Sequence, residues 1–156
     1  MRNILVLLTF ICLVNHSLLR ENTKSLQLIE KFKITRLIDG DDMNFPEDGD
    51  TVTVHYTGFF PESGDVFDSS HSRKETLDFI LGDGFVINCW DIVLEKMSKG
   101  EKIKLICPSE LAYGKGGAGS IIPPNADLGF EIELIDFTRK VVQQEVPKPT
   151  VEHQDL

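Results

Sequence analysis

Three glycines, Gly114, Gly116 and Gly119, stand as G-x-G-x-x-G inside "AYGKGGAGSIIPP" (Ala112–Pro124), the spacing of a loop that cradles phosphate on backbone N–H groups. That chemistry needs a helix to open directly after the glycines, so that its N-terminus meets the anion. The β-branched pair Ile121–Ile122 and then Pro123–Pro124 follow instead, and no regular helix runs through them. The glycines serve a loop, and a nucleotide site fails on context. Glu131 and Glu133 would suit general acid–base work. They alternate with Phe130, Ile132 and Leu134, however, and fall on the solvated side of what reads as an edge strand. His55 has no second His or Cys at ligand spacing and reads as surface. The run "DGDD" (Asp39–Asp42) lacks the alternating oxygen ligands and later Glu of a calcium loop, and reads as a turn. Neither G-x-S-x-G nor H-E-x-x-H occurs.

Cys89 and Cys107 lie eighteen positions apart. In an oxidising compartment they can pair, and each serves equally well as a small buried hydrophobe; both readings stand. No C-x-x-C supports redox or zinc chemistry. What remains is a set of aromatic and branched residues at or beyond the ends of the elements: Tyr56, Phe67, Val86, Ile87, Trp90, Tyr113, Ile121 and Phe130. They suit an apolar pocket or a plain core, and periodicity alone does not separate the two.

These residues have to be held by elements, and the patterning is mostly of strands. "FKITRLI" (Phe32–Ile38) alternates Phe32, Ile34 and, less regularly, Leu37 and Ile38 and reads as strand-like. In "TVTVHYTG" Val52, Val54 and Tyr56 alternate with Thr51, Thr53 and His55, giving one buried and one wet face. "VFDSS" is extended after a "PESGD" turn, "TLDFILG" alternates Leu77, Phe79 and Leu81, and "KIKLICP" puts Ile103, Leu105 and Cys107 on one face. "DLGFEIELIDF" is the last strand. One segment reads as a helix: Trp90, Val93, Leu94 and Met97 make a single apolar stripe, with Asn88 as the expected N-cap and Gly100 near its end. The sum is an α+β fold, five or six antiparallel strands whose apolar face one short helix must cover.

The chain of 156 residues is about one domain. Its formal net charge of −9 argues against nucleic acid and anionic lipid as partners. "MRN" followed by the apolar run Ile4–Val14 is too short to span a membrane and reads as a secretory signal peptide over residues 1–17; no stable membrane association is expected. Asn15 opens a sequon, "NHS", at the expected cleavage point, where it carries no meaning. Residues 18–30 form a lead-in, 31–138 the folded domain, and 139–156 a proline-punctuated tail expected to lack fixed structure. The tail ends in "HQDL", close to the H-D-E-L type of endoplasmic-reticulum retention signal. A lumenal protein is expected, with secretion as the alternative.

"VTVHYTG", "VFDSS", "VINCW", "LAYG", "IIPP" and "LGFEIELID" resemble, in order and spacing, the blocks of the FKBP-type peptidyl-prolyl isomerases, the immunophilins that bind tacrolimus and rapamycin. The resemblance runs from about Lys31 to Phe137. It implies a twisted antiparallel sheet wrapped around one short α-helix, no cofactor or metal, a monomer, and proline-containing polypeptide clients together with tacrolimus- or rapamycin-type macrolides as partners. It implies Trp90 as a pocket floor, Tyr56, Phe67, Val86, Ile87 and Phe130 as walls, and Tyr113 reaching in from the glycine loop. Asp68 matches the polar pocket residue, Arg73 a support for tyrosine and aspartate, and Leu77, Ile121 and Ile122 the rim. Leu77 departs from an aromatic common there, and Cys89 from a frequent glycine. Ala118 and Gly119 leave the loop without bulk seen in some relatives. A non-catalytic proline-peptide or partner-binding module, or a chaperone on the same fold, is the competing function.

Overall fold

The computed structural model describes residues 30–140. The expected signal peptide with Cys12, most of the lead-in, and the tail with its HQDL end lie outside the described residues. Six strands form one antiparallel sheet: β1 Lys33–Ile38, β2 Thr51–Phe59, β3 Val66–Ser69, β4 Leu77–Ile80, β5 Lys102–Cys107 and β6 Leu128–Thr138. Their order is β1-β5-β6-β2-β3, with β4 also paired to β2. A single turn of helix, α1 (Ser70–Arg73), follows β3, and the main helix α2 (Asn88–Leu94) links β4 to β5. The α+β class and the wrapped sheet follow the sequence reading.

The alternation in β2 is resolved as expected, with Val52, Val54 and Tyr56 buried and Thr53 and His55 on the outer face. Ile103 and Leu105 of β5 and Ile132 and Leu134 of β6 complete a floor on which α2 lays Trp90, Val93 and Leu94. Met97 is buried too, but α2 ends at Leu94 and the chain continues in tighter turns, Lys96 N–H to Val93 O and Met97 N–H to Leu94 O. Nor is Asn88 the N-cap: Ile87 holds that position without a side-chain cap, and Asn88 is the first helical residue. Gly100, at φ +84°, turns the chain into β5 rather than ending the helix.

The first strand is present but more exposed than the others, and one strand reading is corrected. β1 is the outermost strand and is exposed along its length, with Ile34, Leu37 and Ile38 at 51%, 45% and 53%. A helix of seven residues covers the middle of the sheet and does not reach this edge; only Phe32, just before β1, packs on the core. β6 lies between β5 and β2, so Glu131 and Glu133 stand on an interior strand. A sheet with one wet face shows the same alternation inside as at its rim. Both carboxylates still face outwards, and Glu131 pairs with Lys102 at 3.2 Å.

Cys89 and Cys107, both fully buried, are joined as a disulfide with their Cα atoms 6.0 Å apart, which resolves the two cysteine readings in favour of pairing. The fold also runs past the expected start of the tail. Arg139 reaches Asp50 Oδ2 at 2.8 Å, and the Lys140 N–H donates to Asp50 Oδ1 at 2.9 Å.

Candidate active site

A cavity of about 530 Å³ opens where β2, β3, the start of α2 and the glycine loop meet. Its floor is Trp90, the third residue of α2, which packs edge-on to Tyr56 (ring centroids 4.9 Å) and Phe130 (5.4 Å), with Phe79 behind it at 6.1 Å. The indole N–H finds no hydrogen-bond acceptor among the described residues; no side-chain hydrogen bond orients the ring. Phe67 closes one wall, edge-on to Phe130 at 5.8 Å. It can lie there because residue 58 is glycine: a Cβ on Gly58 would sit 2.6 Å from the Phe67 ring and 3.1 Å from Phe130.

The opposite wall is polar. The Tyr56 hydroxyl donates to Asp68 Oδ2 at 2.5 Å and accepts from Arg73 Nη2 at 2.8 Å, while Arg73 Nη1 pairs with Asp68 Oδ1. Partial burial pushes the Asp68 carboxyl up, but hydrogen bonds from Tyr56 and Arg73 and the guanidinium charge outweigh it and hold the group below its ordinary value. Burial first, and then the hydrogen bond to Asp68, raise the Tyr56 phenol. Arg73 sits on α1, and Ser70 fixes that turn. The buried Ser70 Oγ accepts from the Tyr56 N–H at 2.8 Å, donates to the Tyr56 carbonyl at 3.1 Å, and lies 2.9 Å from His55 Nδ1. The His55 ring stacks on His71 at 4.4 Å. His55 is therefore no isolated surface residue but part of the mount for Arg73. Sequence spacing does not show this, because β2 and α1 meet only in the fold.

Val86 and Ile87 complete the pocket beside α2, Leu77 lies at its edge, and the ring of Tyr113, 44% exposed, overhangs it. No backbone carbonyl among the described residues takes up the Ile87 N–H. Gly84, Phe85, Asn88 and Ala112 also line the cavity. Phe85 was the one most open to detection, as the first of three apolar residues, "FVI", outside any element. Ile121 and Ile122 do not line it. Ile122 turns into the core at 6% exposure, with its N–H and carbonyl both bonded to Ala118, while Ile121 stands out at 60%. The loop is a small hairpin, and its left-handed glycines are Gly114, Gly117 and Gly119, not the 114, 116, 119 of the phosphate pattern. Among the described residues no cluster of three or more His, Cys, Asp or Glu is placed to hold a metal.

The model of the FKBP-type peptidyl-prolyl cis-trans isomerase domain matches residues 43–135, the span that builds this pocket. The chain belongs to that family. FK506-binding protein 2 of Kluyveromyces lactis is 51% identical over 98 residues, which cover 63% of this chain and 70% of the relative. Peptidyl-prolyl cis-trans isomerase FPR2 of Saccharomyces cerevisiae is 56% identical over 88 residues, 56% of this chain and 65% of the relative. Among solved structures, FkpA from Escherichia coli superposes with a TM-score of 0.63 at 44% identity, over 69% of this chain and 48% of that one. The chain is thus a peptidyl-prolyl cis-trans isomerase by family. Its pocket matches that assignment chemically, being apolar, shaped, and furnished with hydrogen bonds rather than with a nucleophile.

Proposed function

We propose that the chain accelerates rotation about Xaa–Pro bonds in folding secretory proteins, with the proline ring seated on Trp90 among Tyr56, Phe67 and Phe130. The observation that carries this is the aromatic cavity over Trp90 with the Tyr56–Asp68–Arg73 set along one wall. Amide resonance raises a barrier of about 18–20 kcal/mol to this rotation and separates charge between oxygen and nitrogen. Water favours that planar, polar form. The twisted amide has lost the charge separation, so a dry aromatic cavity favours it over the ground state. The Ile87 N–H and the Tyr113 hydroxyl orient the flanking carbonyls, and Asp68 faces the rotating group. Val86 and Leu77 shape the proline seat. Arg73 acts through Tyr56 and Asp68. Removing about 4–5 kcal/mol of barrier gives roughly a thousandfold, with no covalent or acid–base step.

The same cavity is proposed to take FK506-type macrolides, after the names of the relatives. The isomerase domain is placed at 31–138, extended by the anchored Arg139 and Lys140, and the protein works as a monomer. Residues 1–17 and the HQDL end support a lumenal site of action, as does a disulfide, which persists in oxidising compartments. Magnetisation-exchange NMR on an Xaa–Pro peptide tests the activity: folded protein speeds the exchange and rapamycin abolishes the effect. No acceleration by folded protein that still binds the drug would assign a binding module instead. Deleting His153–Leu156 is expected to release the protein into the medium, and unchanged retention would refute the tail signal.

A further inference from the structure

The Cys89–Cys107 disulfide occupies an unusual place relative to the pocket. Cys89 is the second residue of α2 and directly precedes Trp90, the pocket floor. Cys107 ends β5. After Pro108 and the single 3-10 turn Ser109–Leu111, the chain reaches Ala112 and Tyr113, which line the other side of the cavity. The β5 end is itself anchored, since Cys107 pairs with Leu128 of β6 and the Ser109 N–H donates to Asp127 Oδ1 at 2.8 Å.

Apart from apolar packing, the α2 end has little else to hold it. A helix of seven residues is marginal on its own hydrogen bonds. Its N-cap, Ile87, contributes no side-chain bond, and the Trp90 indole N–H has no acceptor among the described residues. Among the described residues one polar tether remains, from the Gly82 N–H to Asp91 Oδ1 at 3.1 Å, and it lies at the surface. Aromatic packing permits a short helix to roll about its axis; a covalent bond one residue from the indole does not.

We infer that the Cys89–Cys107 disulfide is a positioning element of the isomerase site, fixing Trp90 relative to the Ala112–Tyr113 segment. The inference rests on the isomerase reading above. Both sulfurs are fully buried, so the bond serves as a permanent brace and not as a surface switch.

The test compares oxidised protein, reduced protein and the Cys89→Ser/Cys107→Ser variant. Dithiothreitol supplies two electrons and two protons and closes to its own cyclic disulfide, leaving two thiols. Because the bond is buried, reduction is completed in mild denaturant and the protein is returned to native buffer with reductant present. Trp90 is the only tryptophan of the chain, so its emission reports the floor alone. Loss of the bond is expected to shift that emission to the red and to raise KM for an Xaa–Pro peptide on the order of tenfold, with far-UV circular dichroism unchanged. Unchanged emission and KM in folded, bond-free protein would overturn the positioning role, and so would an intact mass that gains no hydrogens on reduction. Should the serine variant not fold, Cys89→Ala/Cys107→Val keeps an apolar filling and gives the same comparison. If oxidised protein fails to accelerate isomerisation, the isomerase reading falls, while the emission of Trp90 still judges the brace.

Discussion

Tyr56, Asp68 and Arg73 bind one another so closely that their charges are settled far from neutral pH. The Asp68 carboxyl lies below its ordinary value, despite burial, because Tyr56 and Arg73 donate to it. Burial and the neighbouring carboxylate push the Tyr56 phenol up. For a depressed carboxyl, the stabilising contribution is complete above the unfolded-state pKa and is lost as pH falls through the lower folded one; for a raised phenol the loss comes as pH rises through its folded value. The set therefore keeps one protonation state from about pH 5 to about pH 9, and kcat/KM measured by exchange NMR is expected to be flat across that window. A step inside that window would contradict this. Replacing Asp68 with Asn keeps the shape but removes the anionic acceptor. We expect kcat/KM to fall roughly tenfold, about 1.4 kcal/mol, with little change in melting temperature; equal activity would remove Asp68 from the site.

At the level of elements, the parts legible in the sequence were those whose neighbours lie close along the chain or whose patterns are long. The β2 alternation, the Trp90–Met97 stripe and the blocks around Phe67, Trp90 and Tyr113 all have this character. The illegible parts depended on strand order and on loop closure. Nothing in "FKITRLI" says that β1 lies beyond the reach of α2, so the exposure of its apolar residues is not legible there. Nothing in "GSIIPP" says that Ala118 pairs with Ile122 and turns that side chain into the core instead of over the pocket. The role of Gly58 was equally hidden, because the rings that need its missing Cβ come from β3 and β6. Gly58→Ala would press on Phe67 and Phe130, and since both rings are walls of the cavity the cost should appear in binding. A several-fold weaker macrolide affinity by titration is expected, with stability reduced by about 1–3 kcal/mol. Affinity equal to the wild type would mean that Phe67 yields without deforming the pocket.

For the molecule as a whole, one short helix has to cover a six-stranded sheet, and most of β1 is left outside the core. With a core this narrow, anchorage comes from long-range ties. Asp50, nearly buried, draws in the end of the fold through Arg139 and the Lys140 N–H. Glu101, likewise buried, takes Arg36 Nε at 2.8 Å from β1 and the Ser98 N–H from the turn before β5. The disulfide is the strongest of these ties, since it closes a loop with a sequence separation of 18 that contains all of α2 but its first residue. Constraining a loop of that size in the unfolded chain is worth about 3 kcal/mol. For a domain of this size such a loss lowers the melting temperature by roughly 10–20 °C. Calorimetry of oxidised and reduced protein is expected to show that drop. The reduced form should stay folded at room temperature, because the β2–β6 ladder and the Val52–Leu134 side of the core do not involve the cysteines. A shift of only a few degrees would mean that packing around α2 already supplies the constraint, and that the bond contributes locally at Trp90 rather than to the fold.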